Sequence, residues 1–169
     1  MSRNYWWASH WGDGYDLPKE GSYICGPLED VQGVKKSGFA NLGKLKPGDV
    51  IFHAPVAIIN SISRVTGEPV KKSMPAPLAK HYRRGEGWIC EVEYFDLEDA
   101  ERVSGRSVPT GLENEIPKWL RASGKTGVYA SNGQIKGGLL KVATEYLVDE
   151  LKKLFPDIWP PGCPLVESD

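Results

Sequence analysis

The chain has no CxxC pair. Its three cysteines, Cys25, Cys90 and Cys163, are odd in number and widely spaced, which argues against a disulfide framework and a structural zinc site. The three histidines, His10, His53 and His81, are equally scattered, without the close spacing of metal ligands on a rigid element. No apolar run approaches the length of a membrane span. No signal-peptide pattern opens the chain, so the expectation is an intracellular, cytoplasmic protein. Net charge is -1, so any anionic partner must be met by a local patch. There is no GxSxG elbow, and no P-loop. The glycines of Asn132-Gly133-Gln134-Ile135-Lys136-Gly137-Gly138 lack the dinucleotide fingerprint and its βαβ setting. The reading is a protein that binds without catalysing, with no cofactor and no metal.

What is abundant is turn-forming residues. Nineteen glycines and 13 prolines in 169 residues favour short strands and tight turns over a helical bundle. The length suits one domain. A first strand is expected over 4–11, then a Gly/Asp/Pro-rich loop over 12–22. Tyr23-Ile24-Cys25 is a short apolar segment. A short helix fits Phe39–Leu45. Lys46-Pro47-Gly48-Asp49 is a turn by its own chemistry. It launches Val50–Ala54, then a partner strand ending at Gly67-Glu68-Pro69. Residues 70–87 read as basic and irregular. Trp88–Phe95 alternates cleanly and reads as a strand. Ile116–Leu120 fits one helical turn. Residues 144–155 form the best helix, capped by Thr144 and stopped by Pro156. The expectation is an α+β fold, a small curved β-barrel with short flanking helices and a C-terminal helix. The domain is read as 1–156, with 157–169 a proline-rich tail or linker.

Three of the six tryptophans fall in Tyr5-Trp6-Trp7-Ala8-Ser9-His10-Trp11. Alternation puts Tyr5, Trp7, Ser9 and Trp11 on one side and Trp6, Ala8 and His10 on the other. The second set reads as a core face ending at a polar tip. The first reads as an aromatic surface carrying a hydroxyl, which suits a flat ligand with hydrogen-bonding edges. Trp88 opens its strand after a basic loop, where a pocket mouth would sit. His81 and Tyr82 lie among Lys80, Arg83 and Arg84. Cations beside aromatics suit phosphates beside a base. The phosphate-binding candidates are Lys35, Lys36, Lys71, Lys72, Lys80, Arg83 and Arg84.

The order of motifs resembles a known family. A Tyr-Trp strand is followed by Pro-Gly-Asp-Val-Ile-Phe, Ile-Ser-Arg-Val-Thr, and Gly-Trp before Val-Glu-Tyr-Phe. Asn-Gly-x-x-x-Gly-Gly then precedes the last helix. This is similar to the EVE domain of the PUA-like superfamily, relatives of the YTH readers of methylated adenine. Among these it looks most like the N-terminal DNA-reading domains of McrB-type, modification-dependent restriction GTPases. The resemblance spans roughly residues 4–155. It implies a domain that holds a flipped, methylated base in an aromatic cage, 6-methyladenine before 5-methylcytosine. It also implies a fused or partner GTPase or nuclease module. Matched position by position, Ala8, Ser9, His10 and Trp11 fall at the family's polar pocket edge. Ile24 and Cys25 stand where YTH-like relatives often carry a cage tryptophan, which leaves Trp7, Trp11, Tyr82 or Trp88 to complete the cage. Asn132 and Gln134 fall in a polar loop near the pocket.

Three other readings stay open. The same fold could serve RNA. A small ASCH-like hydrolase would need a pocket cluster such as Lys80 or Arg64 with Glu91. A protein-interaction domain would use the aromatics as a patch, without salt-dependent nucleic-acid binding.

Overall fold

The computed structural model describes residues 3–29, 32–33, 36–55, 59–97, 116–130, 132–156 and 159–166. Seven strands form one strongly curled sheet, with a few short helices around it. The strands are β1 (Tyr5–Ala8), β2 (Tyr23–Pro27), β3 (Val50–His53), β4 (Ser61–Val65), β5 (Val70–Ser73), β6 (Glu86–Asp96) and β7 (Leu140–Ala143). Their order is β2-β6-β4-β3-β1-β7, with β5 also paired to β6. The α+β fold with a small, curved, barrel-like sheet follows the sequence reading.

The opening strand is shorter than the tryptophan run suggests, and it is not an edge. β1 lies between β3, its parallel partner, and β7, its antiparallel partner. Both of its edges are therefore hydrogen-bonded, and a separate cluster of buried side chains covers each of its faces. Trp7 is fully buried against Phe52 and Tyr129, in a cluster with Ile62, Leu120, Leu147 and Leu151. Trp6 is buried on the other side with Ile51, Ile24, Cys90 and Val92. The expectation that Trp7 belongs to an aromatic surface is thus overturned: side chains pack over both faces of β1, so alternation sorts its residues between two cores.

Helix α1 (Asp13–Gly21) replaces the expected loop. It buries Gly14, Tyr15 and Pro18, and Ser22 closes it in the left-handed region. Tertiary packing overrides a composition that reads as turn. The segment expected to be irregular holds β5 and helix α3 (Ala76–Tyr82). Pro75 and Pro77 sit at the start of α3, where the missing N–H costs nothing. Between β2 and β3 lie a short α2 (Ser37–Ala40) and a 3-10 turn, Asn41–Lys44. Helices α4 (Lys118–Arg121) and α5 (Glu145–Leu154) follow. Thr144 caps α5, its hydroxyl accepting from Leu147 N–H at 3.2 Å. Leu147, Val148 and Leu151 turn inward.

The proline-rich end does not trail away as a linker. Trp159, Cys163 and Leu165 are buried in the same cluster as Trp7, and Trp159 meets the Phe52 ring edge-on at 6.1 Å. Apolar side chains spaced along an irregular segment suffice to bury it.

Candidate functional site

The two ends of β1 are built from different chemistry. At its start, Asp49 closes the structure. It accepts from Trp6 Nε1–H at 3.0 Å, Lys46 N–H at 3.1 Å and Asn4 N–H at 3.3 Å. At its end the chain leaves the sheet through Ser9, His10 and Trp11. Ser9 N–H donates to the Leu139 carbonyl at 2.6 Å, and Ala54 N–H to the Ala8 carbonyl at 2.9 Å. Beyond Trp11, Gly12 takes a positive φ of 53° and α1 begins.

Behind this end lies a buried polar interior. His10 Nε2 and His53 Nδ1 are 3.0 Å apart, and His53 Nε2 is 2.7 Å from Ser63 Oγ. Tyr15 OH reaches Ser61 Oγ at 2.7 Å and donates to Asn60 Oδ1 at 3.1 Å. The His53 ring also meets Tyr94 at 4.7 Å. The strands explain the cluster: Ser61 is paired with His53 and Ser63 with Ile51 across β3 and β4, and Tyr94 pairs with Ser63 across β4 and β6. Burial holds His10 down to about 3, against the opposing pull of the Gly14 backbone. Burial likewise holds His53 well below its usual range. Both rings are therefore neutral at pH 7. Only one of the two nitrogens in the histidine pair carries the proton, so the chain from His10 through His53 to Ser63 runs in one direction at a time. Among the described residues, His10 Nδ1 makes no hydrogen bond of full geometry.

In front of this interior are two adjoining cavities that share Ser9, His10 and Trp11. One, of about 330 Å³, is also lined by Ala54, Ile135, Lys136, Gly137 and Gly138. The other, of about 180 Å³, is also lined by Phe39, His81, Tyr82 and Leu139. The larger is of ligand-binding size. Trp11 stands at both, 64% exposed, its ring edge-on to His81 at 4.7 Å. His81 in turn packs edge-on to Tyr82 at 4.7 Å. Gly14 lets α1 approach this trio: a Cβ there would sit 2.8 Å from Tyr82 OH and 2.9 Å from His81 Nε2. Behind the cavity-lining Gly138, a Cβ on Gly38 would sit 2.8 Å from Gly138 Cα. The loop before β7 is held at that distance by two facing glycines.

Lys141 is the residue that sequence reasoning missed. It lies on β7 opposite Trp7 and is 7% exposed. Its Nζ donates to Ser9 Oγ and to the Gly138 carbonyl, each at 2.8 Å. Burial pulls its pKa down to about 8. In Leu140-Lys141-Val142 the polarity is reversed, with Lys141 buried and Val142 exposed. A lysine flanked by apolar residues on a short strand is the signal that could have found it.

The remaining expected residues are dispersed. Ser9, His10, Trp11 and Tyr82 come together at the cavities. Trp7 does not; it is wholly core. Ile24 and Cys25 are fully buried in β2. The Cys25 carbonyl accepts from Tyr82 OH at 3.4 Å, and burial pushes its thiol up to about 12, so the thiol is inert. Trp88 packs on the inner cluster beside Gly43, with Lys71 Nζ 5.1 Å from its ring centre, and lines neither cavity. Asn132 and Gln134 are exposed and engage each other, Gln134 N–H donating to Asn132 Oδ1 at 3.0 Å; the cavity wall is made by the residues just after them. Lys71 and Lys72 are exposed on β5, and Lys36 is exposed before α2. Lys80 lines a surface groove with Asp13 and His81. Arg83 caps α3 at φ 58°, with Arg84 next to it. Lys35 lies outside the described residues. Arg64 and Glu91, the hydrolase alternative, line neither cavity. Among the described residues no three His, Cys, Asp or Glu converge as a metal site, and no helix is long and apolar enough to cross a membrane.

No family model matches the chain, and no curated protein matches it. Solved structures do. A protein from Pseudomonas putida aligns over 89% of this chain and 98% of its own, with a TM-score of 0.50 and 14% identity. A protein from Agrobacterium tumefaciens aligns over 95% and 99%, with a TM-score of 0.44 and 17% identity. The first of these likenesses speaks to the fold alone. Neither protein is named for an activity.

Proposed function

We propose that this domain reads a methylated base in DNA, 6-methyladenine before 5-methylcytosine, received at the end of β1. The observation that carries the reading is Trp11. It is a large aromatic left 64% exposed and braced by His81, beside a cavity whose edge carries the Ser9 hydroxyl. An aromatic face, an apolar wall at Ile135 and Ala54, and a hydroxyl are what a flipped base requires.

The energetics are in balance. Flipping a base costs a few kcal/mol, and stacking on an aromatic returns about 1–3 kcal/mol. Enclosing one methyl adds about 0.8 kcal/mol. Lys36, Lys71, Lys72, Lys80, Arg83 and Arg84 supply the salt-sensitive hold on phosphates. Catalysis is left to a fused or partner GTPase or nuclease module, and the family resemblance supports that assignment.

The test is fluorescence-anisotropy binding to one short duplex, unmodified or carrying 6-methyladenine or 5-methylcytosine, at two salt concentrations. Selective tightening for one methylated form is the expected result. Binding to methylated RNA alone would move the function to RNA. Absence of binding to any of these would end the reading.

A further inference from the structure

We infer that Lys141 fixes the polarity of the cavity, so that Ser9 acts there as a hydrogen-bond donor and the cavity takes a ligand with an acceptor on its ring edge. The inference rests on the site proposed above and adds what that site recognises.

The argument begins with valence. A serine hydroxyl has one hydrogen to give and lone pairs to receive. Lys141 Nζ donates to Ser9 Oγ at 2.8 Å. An ammonium has no lone pair, so in this contact Ser9 can only accept. The Ser9 hydrogen is therefore free for another partner. Among the described residues, Ser9 Oγ has no hydrogen-bond partner besides Lys141, and Ser9 lines the cavity. A ligand that offers a donor at this point must use the second lone pair of an oxygen already engaged by a cation, which makes it a weaker acceptor. A ligand that offers a ring nitrogen or carbonyl meets a hydrogen.

The second observation is the environment of Lys141. Its two partners, Ser9 Oγ and the Gly138 carbonyl, are neutral. A buried ammonium without a carboxylate is costly, and burial alone accounts for its lowered pKa. The charge also polarises the Ser9 hydroxyl, which strengthens what it donates. Lys141 is thus a positioning residue; Ser9 makes the contact.

Two aromatic probes isolate the effect. Both carry a methylamino group: 4-(methylamino)pyrimidine has ring-nitrogen acceptors and N-methylaniline has none. Titrated at neutral pH into the isotopically labelled chain, only the pyrimidine should shift the Ser9 and Trp11 amide signals strongly. Its affinity should fall about tenfold in Ser9→Ala and in Lys141→Met, as expected for one charge-assisted hydrogen bond. Lys141→Arg should restore part of it. Affinity in the parent chain should also decline as pH rises through about 8, and this pH dependence should vanish in Lys141→Met. Equal binding of the two probes, or full discrimination retained by a folded Lys141→Met, would overturn the inference. Failure of every methylated duplex with probe discrimination intact would remove the reader function and leave the inference standing. Duplex binding without probe discrimination would do the reverse.

Discussion

The start and the end of β1 are only a few residues apart, yet they treat buried polar groups in opposite ways. At the start, one carboxylate receives three N–H donors and nothing is left over. At the end, among the described residues, His10 Nδ1 makes no hydrogen bond of full geometry and the partners of Lys141 are neutral. A satisfied network locks a fold, and an unsatisfied one carries a standing cost of about 1–3 kcal/mol per group. The cost is not confined to the cavity: among the described residues the Trp7 and Trp159 indole N–H groups, deep in the core, are also without a partner. Neither polar burial nor its incompleteness marks the site in this protein; what sets this end of β1 apart is that its polar groups lie beside a cavity.

The contrast can be broken in four places. The largest effect belongs to the core flanking both ends. Trp7→Ala should cost about 3–5 kcal/mol in urea denaturation, and a loss under 1 kcal/mol would mean Trp7 is not core. Next is acid. His10 and His53 are held below their ordinary range when folded, so the unfolded chain binds more protons once pH drops below 6.5. Stability should fall from there toward about 3, by a few kcal/mol, and a flat urea midpoint across that window would contradict the buried neutral pair. Third, Asp49→Asn should cost about 2 kcal/mol and leave duplex affinity unchanged under folded conditions, whereas Trp11→Ala should do the opposite. Trp11→Ala should weaken methylated DNA by about 1–3 kcal/mol with no change in melting temperature. If both variants lose binding equally, the two ends are not separable. The smallest effect is Arg83→Ala with Arg84→Ala. It should lower the salt slope by about 0.9 per lost phosphate contact, equally for modified and unmodified duplex. A loss confined to modified DNA would place that corner at the base instead.

Much of the frame could be read from alternation and turn chemistry. Trp88 to Phe95 lies within β6, Lys46–Asp49 turns into β3, and Thr144 to Pro156 brackets α5. His10 also sits where alternation put it, at the polar end of an inner face. The misses share a cause. Periodicity says which residues share a face, but not how many faces a strand buries. Trp7 falls to that ambiguity, since what covers the second face of β1 is a cluster from distant segments, with Tyr129, Leu120 and Leu147. Lys141 was lost because its partners are 132 and 3 residues away, and the longer contact leaves no local pattern. Helix α1 was lost because its helical state depends on packing Tyr15 and Gly14 inward, against a composition of Gly, Asp and Pro. Trp88 was placed at a pocket mouth by its neighbours in sequence; in space its neighbours are Gly43 and Lys71.

The facing pair Gly38 and Gly138 sets a rule for anyone wishing to change what this pocket holds. With backbone against backbone at this point, the wall has no side chain to trim and no slack to take up. Room for a bulkier guest comes from side chains such as Phe39 and Ile135, which border the cavities with removable atoms. A library that varies positions 39 and 135 and spares 38 and 138 would explore new ligand preferences without moving the loop that carries the Gly138 carbonyl and, through it, Lys141.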